Sequence, residues 1–173
     1  MKLGTTLIAM TLAGLVTTFS TQTIADEGPG PLDKPWGIDA PPGVPPVDNA
    51  VYSKACGGSC HMVYPAGLLP PQSWERVLTT LDDHFGQTIS LSRGETVTLY
   101  KYLLNNAAGR VDYSVSNAIV LGFSGAPLRI TELPYFRSTH QGVTSASGSL
   151  ADCRACHSRA EQGSFAKQEL VSR

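Results

Sequence analysis

Apolar positions recur at helical spacing in two stretches of the chain. Between Ser73 and Phe85, the residues Trp74, Val77, Leu78, Leu81 and Phe85 fall at i, i+3, i+4, i+7 and i+11. That spacing draws one apolar stripe down a helix. Pro70-Pro71 precedes the stripe and Gly86 follows it as a stop signal. A second helix opens at Ser92-Arg93-Gly94-Glu95, a match to the capping box. It runs through Val97, Tyr100, Leu103, Leu104 and Ala107 to Gly109. Residues 110–130 are rich in Ser, Val and Gly and carry no helical period, which predicts a domain boundary near Arg110. Beyond it, Thr131 can cap a short helix with Pro134 in its first turn, ending near His140. A Ser/Gly loop over 142–149 then leads to a last helical piece around Asp152 to Gln162. The chain reads as mainly α.

The start of the chain has a different character. Lys2 gives a positive beginning, Leu7 to Val16 is an apolar run, and Thr23-Ile24-Ala25 offers a small-residue cleavage site before Asp26-Glu27. This predicts a secretory signal peptide over 1–25. The run is too short for an anchor, since spanning a bilayer takes about 20 apolar residues. The expectation is an exported, periplasmic protein with no membrane span after cleavage. Residues 26–50 hold seven of the twelve prolines and read as an extended, polyproline-like arm outside the core. The remainder divides into 51–110 and 111–173, two pieces small enough to need a staple or a cofactor. Losing Lys2 with the signal leaves 12 basic against 14 acidic side chains, a net of −2. With no basic run anywhere, a nucleic-acid partner is excluded.

Four cysteines raise the question of the staple. In an exported chain the plain reading is two disulfides. Cys153-Arg154-Ala155-Cys156-His157 argues otherwise, because C-x-x-C-H is the attachment pattern for c-type haem. Thiols three residues apart on a helix reach the two vinyl groups on one porphyrin edge, and the following histidine lies beneath the iron. Cys56-Gly57-Gly58-Ser59-Cys60-His61 has the same logic with one extra residue in the spacer. A Cys56–Cys60 disulfide competes there. Haem is favoured because His61 follows the second cysteine, the Gly-Gly-Ser insert can bulge, and a second attachment motif is present. Two covalently bound haem c groups are expected.

Each iron has a second axial position, filled in electron carriers by methionine or histidine. Methionine occurs only at 1, 10 and 62. The first two leave with the signal, and Met62 adjoins proximal His61 and cannot swing across the ring. The histidines are His61, His84, His140 and His157. His84 sits on the apolar face of its predicted helix, three residues after Leu81, and His140 follows Tyr135 and Phe136. Elimination therefore pairs His61 with His84 at haem 1 and His157 with His140 at haem 2. Crossed pairing demands a longer reach.

Taken together these residues resemble the bacterial dihaem cytochromes c, which pair a class I-like domain with a second, unusual haem domain. The resemblance rests on Cys60-His61-Met62 with Tyr64-Pro65, on Gly67-Leu68-Leu69-Pro70 with Ser73-Trp74, and on Asp82-Asp83-His84-Phe85-Gly86. It continues through Arg129-Ile130-Thr131, His140, and Cys153 to His157 with Ala160-Glu161 and Gly163, covering roughly 52–165. The spacer between Cys56 and Cys60 departs from it, with three residues where the family has two. The resemblance implies a class I cytochrome c-like first domain and a second domain of short helices and loops around its haem. It also implies bis-histidine ligation and a soluble electron carrier. The implied partners are a membrane cytochrome b as donor and a small oxygen-binding monohaem cytochrome as acceptor.

Two other functions compete with electron transfer. A small haem enzyme, of peroxidase or oxyanion-reductase type, needs one iron with an open face, and the histidine count leaves none. A haem-based redox or gas sensor needs an output domain, and no segment reads as one. The expectation is a non-enzymatic carrier with low-potential haems.

Overall fold

The computed structural model describes residues 41–58, 60–145 and 148–171. The expected signal peptide, and the arm as far as residue 40, lie outside the described residues. Among those described there is no strand. The described residues form five α-helices and several 3₁₀ turns, and none of these helices is long and apolar enough to cross a membrane.

Helix α1 (Ala50–Cys56) is capped by Asn49, whose side chain accepts the Tyr52 amide at 2.9 Å. Helix α2 (Pro71–Thr79) has proline in its first turn, where the missing N–H costs nothing. It is shorter than its apolar stripe. The Thr79 hydroxyl donates to the carbonyls of Glu75 and Arg76, and the Thr80 hydroxyl to that of Arg76. Such side chains compete with the helix for its own carbonyls. A 3₁₀ turn, Leu81–Asp83, follows, and the Asp83 carboxylate accepts the Gly86 amide at 3.0 Å. His84 thus projects from a turn position at φ −79°, ψ 81° rather than from a helical face. Phe85 is left-handed at φ 54° and 46 % exposed.

Helix α3 (Arg93–Asn105) opens on the expected capping box: Ser92 Oγ accepts the Glu95 amide, and Glu95 Oε2 accepts the Ser92 amide at 2.8 Å. Its inward face is offset from the expected one. Leu99 and Leu103 are fully buried, while Val97 and Tyr100 are exposed, with Tyr100 donating to Glu75 on α2. The core around these leucines takes in Tyr52 and Trp74. The Trp74 indole donates to the Ala66 carbonyl at 2.8 Å, and its ring meets Tyr52 edge-on.

Residues 110–130 contain a helix that the periodicity did not predict, α4 (Ser114–Val120). It lacks a side-chain cap. Its first amides are instead taken by the arm, Ser114 donating to the Pro41 carbonyl and Val115 to that of Gly43, both at 2.9 Å. These are the orphan donors of a helix N-terminus, satisfied here by backbone some seventy residues away. The arm is also less peripheral than its composition implies. Val44 is 2 % exposed and belongs to the core, and its amide donates to the Gly163 carbonyl. Gly43 and Gly163 are both left-handed, and a Cβ on either would meet a carbonyl oxygen at 2.1 Å. Ser116, fully buried, donates to the Gly67 carbonyl, so α4 docks directly on the turn Ala66–Leu68. Leu99, Leu103, Ile119 and Leu133 share one cluster. The apolar core is therefore continuous across the boundary expected near Arg110.

Helix α5 (Pro134–Thr139) also starts on proline and ends at His140, with Leu133 rather than Thr131 as its N-cap. The piece expected over 152–162 is two 3₁₀ turns, Cys153–Ala155 and Ala160–Gln162, not a helix. The offset of α3 has a direct consequence for stability. Leu103→Ala should cost about 2–5 kcal/mol as a large-to-small core change. Val97→Ala should stay within about 0.5 kcal/mol as a surface change. Denaturant unfolding followed by circular dichroism checks both, and equal losses would restore the face expected from sequence.

Candidate haem-binding sites

The first site forms where α1 ends. Cys56 is the last residue of the helix, and Gly57 closes it by donating to the Ser53 carbonyl at 3.0 Å. The chain then doubles back so tightly that a Cβ on Gly57 would lie 2.3 Å from the Val63 side chain. Gly57, the first residue of the longer spacer, thus has no room for a side chain. His61 follows Cys60, and its Nδ1 lies 2.6 Å from the Met62 carbonyl oxygen. A carbonyl only accepts, so Nδ1 carries the proton and Nε2 keeps its lone pair for a metal. The Tyr64 ring stacks on this imidazole at 4.9 Å between centroids, 23° from parallel. Facing His61, at 6.3 Å between ring centroids, is His84. The turn that brings it there is fixed by two backbone bonds, His84 N–H to Gln87 O at 2.7 Å and Gln87 N–H to His84 O at 3.2 Å.

The second site repeats this arrangement from different elements. Cys153 opens a 3₁₀ turn that Cys156 closes, and the His157 amide donates to the Cys153 carbonyl at 2.7 Å. The end of the chain buttresses the motif, with Val171 donating to the Cys156 carbonyl at 2.8 Å. His140, at the end of α5, directs its Nδ1–H to the Phe136 carbonyl at 3.0 Å, again leaving Nε2 available. The Phe136 ring lies nearly parallel to it, 4.0 Å away. His140 and His157 lie 6.1 Å apart between centroids with their planes 73° apart, and Phe165 meets His157 edge-on. His157 Nδ1 is buried without a hydrogen-bond partner.

Both spacings suit a metal held between two imidazoles. Imidazole–metal bonds of about 2 Å, the length typical of zinc, plus about 1 Å from nitrogen to ring centre, put two such rings roughly 6 Å apart. Burial, reinforced by the opposing histidine, pushes the pKa of His84 and of His157 down. Both are then neutral near pH 7, the form that ligates. Burial pushes the Cys56 thiol up to about 11, and burial with Asp152 does the same for Cys153. A thiol held protonated is a poor partner in disulfide exchange, which needs the thiolate. Among the described residues no disulfide forms and no cluster of three or more acidic, cysteine or histidine side chains makes a separate metal site.

The structure thus brings together the histidine pairs that elimination predicts, without crossing them. Sequence reasoning did not find the aromatic flanks at Tyr64 and Phe165. Tyr64 stood within reach, three residues after His61, but its contact depends on the turn that follows.

The family model for dihaem cytochrome c matches residues 52–165. The fold is similar to the solved dihaem cytochrome c from Rhodobacter sphaeroides, with a TM-score of 0.60 and 34 % identity over 70 % of this chain and 100 % of that one. It is also similar to the dihaem cytochrome c from Shewanella baltica, with a TM-score of 0.56 and 32 % identity over 70 % of this chain and 90 % of that one. No curated protein matches the chain. With a family model covering about two thirds of its length and a pair of facing histidines at each attachment motif, the chain belongs to the dihaem cytochrome c family, an electron-transfer haem protein carrying two covalently bound haem c groups.

Proposed function

We propose that the chain is a periplasmic electron carrier in which two histidines ligate each iron. Cys56 and Cys60 attach the first haem, with His61 and His84 as its axial ligands. Cys153 and Cys156 attach the second, with His157 and His140. The observation that carries this reading is the matched spacing of the two histidine pairs, 6.3 Å and 6.1 Å between ring centres. When bound, each haem supplies a one-electron couple whose potential its axial ligands set.

The chain's own groups tune and protect that couple. The bonds from His61 to the Met62 carbonyl and from His140 to the Phe136 carbonyl orient each imidazole and make it a stronger donor. Histidine in place of methionine removes the ligand that raises potential, so both haems are low-potential. Met62 is itself buried at 4 % exposure beside His61, on the proximal side. A catalytic haem needs one face open to substrate. His84 and His140 close both, which favours a carrier over a peroxidase or oxyanion reductase. The exchange partners are other redox proteins: a membrane cytochrome b upstream and a small oxygen-binding monohaem cytochrome downstream. The leading stretch over 1–25 supports export, and the mature chain meets its partners as an acidic protein of net charge −2.

Two measurements follow from the assignment. The intact mass of the secreted protein should include two haems, and Cys56→Ala should leave haem 1 on a single thioether with haem 2 unaffected. One haem per chain with a Cys56–Cys60 disulfide would show the first motif to be misassigned. The reduced protein should not bind carbon monoxide at neutral pH. His84→Ala should open haem 1 alone to carbon monoxide, and His140→Ala haem 2 alone. Carbon monoxide binding by the unmutated protein would instead favour an enzyme or a sensor.

A further inference from the structure

The two sites are joined by one side chain. Tyr64 belongs to the first site by its ring, which stacks on His61. Its hydroxyl reaches the second site, donating to the Ala151 carbonyl at 2.9 Å across eighty-seven positions of sequence. That same carbonyl accepts the Cys153 amide at 3.1 Å, and Cys153 Sγ lies 3.8 Å from it. The tyrosine is held from behind as well. Its own carbonyl accepts the hydroxyl of Tyr52 at 2.7 Å, and Tyr52 is 2 % exposed against Trp74. The ring is therefore fixed by the core at its backbone, by an imidazole on its face and by a carbonyl at its tip.

We propose that Tyr64 couples the two haems electronically, bridging from the His61 imidazole to the Cys153 thioether through the Ala151 carbonyl. The proposal rests on the assignment of His61 and Cys153 to different haems. Tunnelling decays less steeply through bonds and hydrogen bonds than across open gaps, so a ring contact continued by a short hydrogen-bonded path favours transfer. In the step itself one electron lost at the first iron is gained at the second. Tyr64 keeps its proton throughout and is neither oxidised nor reduced. It is a positioning residue: it supplies the route and touches no outside substrate.

Tyr64→Phe separates this role from a packing role, because it keeps the ring and its stack and removes only the bond to Ala151. The intact two-haem protein is photoreduced by less than one electron per chain, and transfer between haems is followed by transient absorption. Both potentials and the low-spin spectra are recorded alongside. The expected result is a several-fold slower transfer with both potentials and both spectra unchanged. Tyr64→Leu, which also removes the stack, should be slower still. A Tyr64→Phe rate equal to that of the unmutated protein overturns the proposal, as does a slowing wholly accounted for by shifted potentials. If Tyr64→Leu fails to incorporate haem, Tyr64→Phe decides alone. Failure of the underlying assignment is distinguishable, since it shows in the unmutated protein as one haem per chain by intact mass or as a high-spin spectrum.

Discussion

The bis-histidine ligation proposed for this chain asks it to hold two imidazoles about 6 Å apart between ring centres on opposite sides of a porphyrin, each with the edge that carries its free nitrogen turned inward. The two rings of a pair come from distant positions: His61 and His84 stand twenty-three residues apart, His140 and His157 seventeen. Neither His84 nor His140 lies inside a helix. His84 sits in a tight turn between a 3₁₀ segment and a left-handed Phe85, and His140 terminates α5. Much of the rest of the structure serves these four positions. The α2–α3 pair with Tyr52 and Trp74 supports the first site, and α4, the arm at Val44 and the chain end at Val171 brace the second. Catalytic and binding groups need such support, because a ligand set left loose by even an ångström loses its geometry.

The local signals in the sequence translated well. The capping box at Ser92, the proline at the start of α2 and the proline opening α5 each appear where their chemistry requires. Which histidines lie near each other follows from a count: four histidines, two attachment motifs and no spare methionine leave few arrangements, and His61 lies beside His84 and His140 beside His157. Tertiary effects were not legible. Helix α2 ends early because threonine hydroxyls take its carbonyls, a competition that an apolar stripe does not register. Helix α4 went unpredicted because its cap is the backbone of Pro41 and Gly43, contributed by a stretch that composition alone marks as peripheral. The inward face of α3 is set by Leu99, which the period assigned from Val97 and Tyr100 passes over.

Continuity of the core has a functional side. Leu99 and Leu103 from the first half share a cluster with Ile119 and Leu133 from the second. Two haem sites resting on one packed interior keep a fixed separation, since close-packed interiors do not deform continuously. Fixed geometry between redox centres keeps the reorganisation that accompanies electron transfer small. It also lets a single tyrosine reach from one site to the other, which a flexible tether between independent domains would not maintain.

Low-temperature electron paramagnetic resonance of the fully oxidised protein addresses the ligand sets most directly, because it reads the spin state and axial field of each iron without added ligand. Bis-histidine ligation at both sites predicts two low-spin signals that together account for two irons per chain, with no high-spin component. A high-spin signal from either iron in the unmutated protein would contradict it.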